Sequence, residues 1–292
     1  MKRSLGAALW RAVRPHQWLS NLVILAALVF SHSLFDVTLL VKAMVGFLLL
    51  CGLSSATFLV NDVVDRERDR RHLVRRHRPV AAGELSVRQA TIAAAVLALV
   101  SLAGAFALQP AFGLAAAGYL LLMVGYSLVL RRLPVLDVLT VAAGLVLRAV
   151  AGALLIQVTI SPWLYLSVGG LGLILALGRV QYEMRLAEAA GTLERGKYTL
   201  ESVEQMNHLA MAFTLVVYCL YTFMAAGLPS NYSMMLTIPI VIYGVFRYQY
   251  LSYRRTEGRS PEQLMLSDVP LLIAVGLWAL TAVGVLYVGG ER

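Results

Sequence analysis

Asn61-Asp62-Val63-Val64-Asp65-Arg66-Glu67-Arg68-Asp69, followed at once by Arg70, Arg71, His72, Arg75, Arg76, His77, Arg78 and Pro79, is the stretch that decides how this chain is read. It begins where the apolar run Val45 to Val60 stops. If the helix predicted for that run continues through it, Asn61 and Asp65 are i,i+4 neighbours, and Asp62, Asp65 and Asp69 fall at i, i+3 and i+7. One helix face then presents several hard oxygen donors. Such a set suits Mg2+, which takes one or two carboxylates and completes its shell with waters and phosphate oxygens. The arginines that follow suit the phosphates themselves. A mixed-charge run is often only a solvated helix face. Its position at the end of a membrane-type segment favours function, because ionisable groups there are functional candidates by default.

Around this stretch the chain is strongly apolar. Its 292 residues are 59% hydrophobic and 14% charged, with a mean hydropathy of +0.74, far from the balance of a soluble domain. The composition predicts an all-α, multi-pass integral membrane bundle. A helix needs about 20 apolar residues to cross the hydrocarbon core, and nine stretches qualify, near residues 17–35, 38–60, 90–109, 112–130, 135–157, 162–179, 207–227, 232–250 and 268–288. No soluble domain and no low-complexity segment interrupts them, so residues 1–292 are read as a single transmembrane domain. The first stretch follows basic residues but lacks the small-residue cleavage site of a secretory signal. Cys51 and Cys219 both fall in apolar segments without a C-x-x-C spacing, which argues against a metal or redox role.

The positive charges orient the bundle. Of 25 Lys and Arg residues, four precede the first span, and eight, two, four and four follow the second, fourth, sixth and eighth spans, which puts 22 on one side. The other side keeps Lys42 and Arg292, and Arg148 lies inside a span. The positive-inside rule therefore predicts a cytoplasmic N-terminus and cytoplasmic even-numbered loops, in the plasma membrane. A net charge of +9 held on one face serves anionic lipid and anionic substrate, not nucleic acid.

Along the chain, Arg14 and Asn21 flank the first span, either snorkelling and capping or reaching an anion in a cavity. Trp18 reads as an interfacial anchor. The long second loop ends in Ala81-Ala82-Gly83-Glu84-Leu85-Ser86, a turn followed by a Ser86 N-cap. Arg131 and Arg132 read as topology determinants. Asp137 and Arg148 sit about three turns apart on nearly one helix face, and the cost of an arginine facing lipid, near 3 kcal/mol, turns Arg148 toward the bundle interior. Arg179, Gln181 and Glu183 are predicted to close the sixth helix, with Arg185, Glu188, Glu194, Arg195 and Lys197 in the loop beyond. No aspartate occurs from Arg179 to Met206. Arg247, Arg254, Arg255, Glu257, Arg259 and Asp268 are assigned no chemistry from spacing alone.

Asn61 to Asp69 fits NDxxDxxxD, and the chain thereby resembles the UbiA superfamily of intramembrane prenyltransferases, nine-helix bundles with a central cavity open toward the cytoplasmic loops. Within it the resemblance is closest to the decaprenyl-phosphate phosphoribosyltransferase branch. The matching pieces are R-P-H-Q-W at Arg14–Trp18, N-D-V-V-D-R-E-R-D-R at Asn61–Arg70, R-H-R-P at Arg76–Pro79, L-D-V-L at Leu136–Leu139, L-R-A-V-A-G at Leu147–Gly152 and F-R-Y at Phe246–Tyr248.

This resemblance implies Mg2+-dependent transfer of 5-phosphoribose from phosphoribosyl diphosphate to a polyprenyl phosphate, with inversion at the anomeric carbon, giving a lipid-linked cell-envelope precursor. Carried over by motif position, Asn61, Asp65 and Asp69 would hold the metal, with Asp62 and Asp65 as the catalytic carboxylates. Arg70, Arg75, Arg78 and Arg179 would bind the donor, and Arg131 and Arg148 the lipid phosphate. Arg14, Asn21 and Glu183 are grouped with the substrate-binding residues. Ser20 and Arg179 stand where the branch has lysine, and Leu73 where it has proline. Two alternatives stay open: an aromatic polyprenyltransferase of the same superfamily, which normally carries a second aspartate-rich motif after the sixth helix, and a non-catalytic lipid carrier or transporter.

Overall fold

The computed structural model describes residues 4–71, 75–191, 197–253 and 265–288, and among them every regular element is helical. Among the described residues seven helices are long and apolar enough to cross a membrane. Residue contacts group the chain into two compact units, one of Met1–Leu28, Ser33–Thr140 and Leu147–Val158, the other of Val29–His32, Val141–Val146 and Thr159–Arg292.

In the first unit, α1 (Leu5–Val13) is N-capped by Ser4 and ends at Arg14, whose backbone is left-handed at φ 51°. A 3-10 segment, Pro15–Leu25, leads into α2 (Ala26–Phe30). The stretch expected as one span over 17–35 is thus a composite. Within it Ser20 Oγ bonds the Gln17 carbonyl at 2.9 Å, a local bond of the kind that competes with a regular α-helix.

Helix α3 (Val37–Val64) starts at Asp36, which caps the Leu39 amide. The expected unbroken helix through the acidic stretch is interrupted at Asp65, which has φ −90° and ψ 0° and separates α3 from α4 (Arg66–Arg71). The Asp65 amide still bonds the Asn61 carbonyl at 2.9 Å and the Asp69 amide the Asp65 carbonyl at 2.8 Å, so the acids keep their helical spacing across the break. The following turn packs Val80 and Leu85 with Ala12, Leu59, Ala90 and Ala94 in one apolar cluster. His72 and Leu73 lie outside the described residues. Ser86 caps α5 (Val87–Leu108) in a full capping box with Gln89, as the sequence predicts. Helix α6 (Pro110–Leu128) packs on α3 and α5. Helix α7 (Leu136–Ile156) presses Gly152 against the 3-10 segment, where any Cβ would collide with the Ile24 carbonyl oxygen. Close backbone approach through small residues is how helices associate where water supplies no drive.

The second unit is built on α8 (Pro162–Ala189) packed against α9 (Leu200–Met224). Helix α8 does not stop near residue 179 but runs on to Ala189, so Arg179 and Glu183 are one turn apart on a helix rather than at its end. A 3-10 turn, Ser233–Thr237, precedes the 16-residue α10 (Ile238–Tyr253), and α11 (Val269–Val288) completes the unit. Leu164, Tyr218, Tyr221, Ala225, Met234 and Ala282 form its apolar cluster. Glu194, Arg195, Arg254, Arg255, Glu257, Arg259 and Arg292 lie outside the described residues.

Candidate active site

The acidic stretch is drawn into two arginine-bridged pairs. Asp62 Oδ1 accepts from Arg14 and lies 3.3 Å from Arg78 Nη1, which also donates to Asp69 Oδ2 at 2.7 Å. Asp65 Oδ2 accepts from Arg131, whose Nη1 lies 3.1 Å from Asn61 Oδ1. The three carboxylates are 1%, 4% and 0% exposed for Asp62, Asp65 and Asp69, and acids so buried persist as ions only when paired. Left-handed backbone at Arg14, uncommon for a residue with a Cβ, aims its guanidinium at Asp62 and over the Phe58 ring at 5.3 Å. The second loop is stitched to α1 by Arg11, which donates to Glu84 at 2.6 Å and to the His77 carbonyl at 2.8 Å.

Asp62 Oδ2 and Asp69 Oδ1 are buried and accept no hydrogen bond from the described residues, so the pairs retain acceptor capacity. Among the described residues no three His, Cys, Asp or Glu side chains converge as a protein-only metal cage would require. Of the metal set expected from the sequence, Asn61 and Asp65 share one arginine, whereas Asp69 is grouped with Asp62. An amide oxygen beside a carboxylate fits Mg2+, which draws most of its shell from water and phosphate.

Arg148 is 8% exposed and faces the protein interior, as its sequence position predicts. Neutral groups meet it there: Asn21 Oδ1 accepts from its Nε at 2.7 Å and Tyr119 OH from its Nη2 at 2.7 Å. Asn21, fully buried, is therefore bound to the arginine rather than open to solvent. Arg70 is engaged with the Ala81 carbonyl at 3.2 Å and Glu67 at 3.1 Å, which fastens the second loop. Arg75 is half-buried beside it. Trp18, expected to anchor at the interface, donates its indole N–H to Ser55 Oγ at 3.0 Å, and the exposed ring is Trp10, edge-on to it at 6.0 Å.

In the second unit, Arg179 is exposed on α8 and Glu183 half-buried. Arg185 bonds Glu204 at 2.7 Å and the Ser252 carbonyl at 2.5 Å. Arg247 grips Asp268 through two hydrogen bonds of 3.0 and 2.7 Å. That bond holds the Asp268 carboxyl below its ordinary range against a desolvation that raises it, helped by the Leu271 amide.

A family model described as the UbiA prenyltransferase family matches residues 20–275. The chain belongs to that family. Among its relatives, a decaprenyl-phosphate phosphoribosyltransferase of Mycobacterium tuberculosis is 30% identical over 285 residues, covering 95% of this chain and 94% of the relative. One of Corynebacterium glutamicum is 28% identical, covering 98% and 89%. A UbiA homolog from Archaeoglobus fulgidus solved with GPP and Mg2+ superposes with a TM-score of 0.73 at 22% identity, over 96% of this chain and 99% of that one. UbiA membership makes the protein a membrane-embedded transferase of helical build. The residues missed by sequence reasoning in this UbiA chain are Tyr119 and Ser54. The available signal was a tyrosine and a serine pair, Ser54-Ser55, within otherwise apolar runs.

Proposed function

We propose that this UbiA-family protein transfers 5-phosphoribose from phosphoribosyl diphosphate to a polyprenyl phosphate. The observation that carries the reading is near full-length similarity to phosphoribosyltransferases in a chain with no aspartate from Arg179 to Met206, where an aromatic prenyltransferase would need its second acidic motif. The working protein is one transmembrane domain with nine crossings, in the plasma membrane. Its N-terminus, its acidic stretch and the mouth of its cavity lie on the cytoplasmic side, where the soluble donor is found.

An oxygen of the acceptor phosphate attacks the anomeric carbon of the donor, the bond from that carbon to the diphosphate breaks, and the configuration inverts. No proton has to move, because the attacking phosphate is already an anion. Catalysis then consists of holding two anions in line and stabilising the leaving group. Asn61, Asp65 and Asp69 are the residues that would hold Mg2+, and the ion would supply Lewis-acid neutralisation of the departing charge. Asp62 keeps Arg14 and Arg78 in place. By motif position Arg70, Arg75 and Arg78 are assigned to the donor; Arg179 is assigned to it by the same resemblance, and Glu183 is grouped with the substrate-binding residues. Arg131 and Arg148 take the lipid phosphate. Ser54, beside Arg148, precedes Asn61 by two turns of α3, roughly 10 Å, a spacing that a ribose between two phosphates can bridge.

The test is to incubate purified protein with Mg2+, labelled phosphoribosyl diphosphate and polyprenyl phosphates of several lengths. Labelled phosphoribosyl lipid is expected. Prenyl transfer from a polyprenyl diphosphate to hydroxybenzoate, with no such lipid formed, would overturn the reading.

A further inference from the structure

Arg148 and three neighbours form a closed ring of hydrogen bonds. Arg148 Nε donates to Asn21 Oδ1 and Nη2 to Tyr119 OH, each at 2.7 Å. Ser54 Oγ donates to Asn21 Oδ1 at 3.1 Å and lies 3.2 Å from Tyr119 OH. Since Ser54 gives its one proton to Asn21, and the phenol oxygen accepts from the guanidinium, the phenol proton goes to Ser54 Oγ. Asn21 Nδ2 is turned to Cys51 Sγ at 3.3 Å, which fixes the amide orientation. Every member is buried, with Tyr119 1% and Asn21 and Ser54 0% exposed, and the guanidinium also lies over the Tyr119 ring at 4.5 Å.

The ring consumes one edge of the guanidinium, Nε with Nη2. The end-on edge, Nη1 with the second hydrogen of Nη2, takes no acceptor from the described residues. Among the described residues no carboxylate pairs with Arg148 either, so its positive charge is held in the interior by neutral dipoles. At the acidic stretch the balance differs, because Arg14, Arg78 and Arg131 match Asp62, Asp65 and Asp69 charge for charge. An anion arriving there must bring its own cation, whereas one arriving at Arg148 supplies the missing counter-charge itself.

We propose that Tyr119 is a positioning residue that, with Ser54 and Asn21, locks Arg148 by its side edge and presents the end-on edge to the phosphate monoester of the lipid acceptor. Tyr119 thereby sets the preference for a lipid phosphate over the corresponding lipid alcohol. This rests on the acceptor being a polyprenyl phosphate. Tyr119→Phe keeps the ring beneath the guanidinium and removes only the hydroxyl that fixes its plane.

The experiment measures binding of polyprenyl phosphate and of the matching polyprenol to the full chain in lipid nanodiscs, without donor, for wild type, Tyr119→Phe and Ser54→Ala. Wild type should favour the phosphate, and Tyr119→Phe should lose about five- to tenfold of that preference through weaker phosphate binding alone. Ser54→Ala, which opens the ring without touching Tyr119, should lose preference in the same sense. In turnover, Tyr119→Phe should raise KM for the lipid phosphate and leave KM for phosphoribosyl diphosphate unchanged. An intact preference in both variants, or parallel loss of phosphate and alcohol binding, overturns the positioning role. A wild type that prefers the phosphate but makes no phosphoribosyl lipid overturns the proposed reaction and leaves the ring's role standing.

Discussion

Arg78 Nη1 lies 2.7 Å from Asp69 Oδ2 and reaches Asp62 with the same nitrogen, so one guanidinium serves two buried acids from the end of α3 and from α4. Arg78→Ala would strip the buried Asp69 of its arginine and leave Asp62 with Arg14 alone, and should destabilise the protein by about 2–4 kcal/mol. Arg78→Lys should recover only part of this, because a compact ammonium is more strongly hydrated than a guanidinium and enters a buried ion pair less readily. Thermal unfolding of the detergent-solubilised variants checks the order wild type, lysine, alanine.

Among the described residues the Asp65 carboxylate is bonded to Arg131, a side chain itself assigned to substrate, and Asp65 ends α3 rather than sitting within it. Asp65→Ala should therefore abolish turnover, by at least about a hundredfold, while leaving a folded protein. Turnover assays paired with size-exclusion profiles decide the matter, and an active variant would remove Asp65 from the metal set.

Arg148→Ala removes the cation itself rather than its orientation. The loss of one charge-assisted phosphate contact, about 1.5–3 kcal/mol, corresponds to a roughly ten- to hundredfold fall in kcat/KM for polyprenyl phosphate. Steady-state kinetics with each substrate varied in turn should show a smaller change for the donor. A variant that loses donor affinity alone would reassign Arg148 to phosphoribosyl diphosphate.

Reporter fusions address orientation. A cytoplasm-only reporter placed after Arg292 should be silent, and one inserted near Ala190 should be active, given the 22-to-2 division of the loop charges. The reverse pattern would move the acidic stretch, and with it donor binding, to the other face.

Asp268 both pairs with Arg247 and accepts from the Leu271 amide at 2.9 Å, capping α11. Its carboxyl is held below the ordinary range, chiefly by the arginine hydrogen bond. The stability it lends is thus fully present above the unfolded aspartate value, about pH 4, and is lost as pH falls through the lower folded value. Wild type should out-melt Asp268→Asn at pH 6, and the two curves should converge on acidification below about pH 4.

Much of the fold was legible because apolar runs report where helices cross a bilayer. Helix α8 outran its expected end because hydropathy sees only the part in hydrocarbon. Its continuation through Arg179, Glu183 and Arg185 is polar, and only the four-residue spacing of Arg179 and Glu183 hinted at a helix. The first stretch failed differently. Its apolar content is real, but Pro15 and the local bond of the Ser20 side chain accompany a 3-10 path that composition does not report. At the site, the ionisable residues were visible and their partners were not. Arg131 meets Asp65 across 66 positions and Arg148 meets Asn21 across 127, and pairings of that span belong to tertiary packing.

The order in which the ring around Arg148 is synthesised bears on how the chain gets into the membrane. Asn21, Ser54 and Tyr119 all precede Arg148, so each acceptor has left the ribosome before the arginine emerges. A helix carrying that cation, delivered alone into lipid, would meet an insertion cost of roughly 3 kcal/mol. Arriving last of the four, α7 can dock its charge onto dipoles already made, and insertion and folding of this segment become a single event. A polypeptide permuted to begin at α7 would lose that advantage even though its finished contacts were the same.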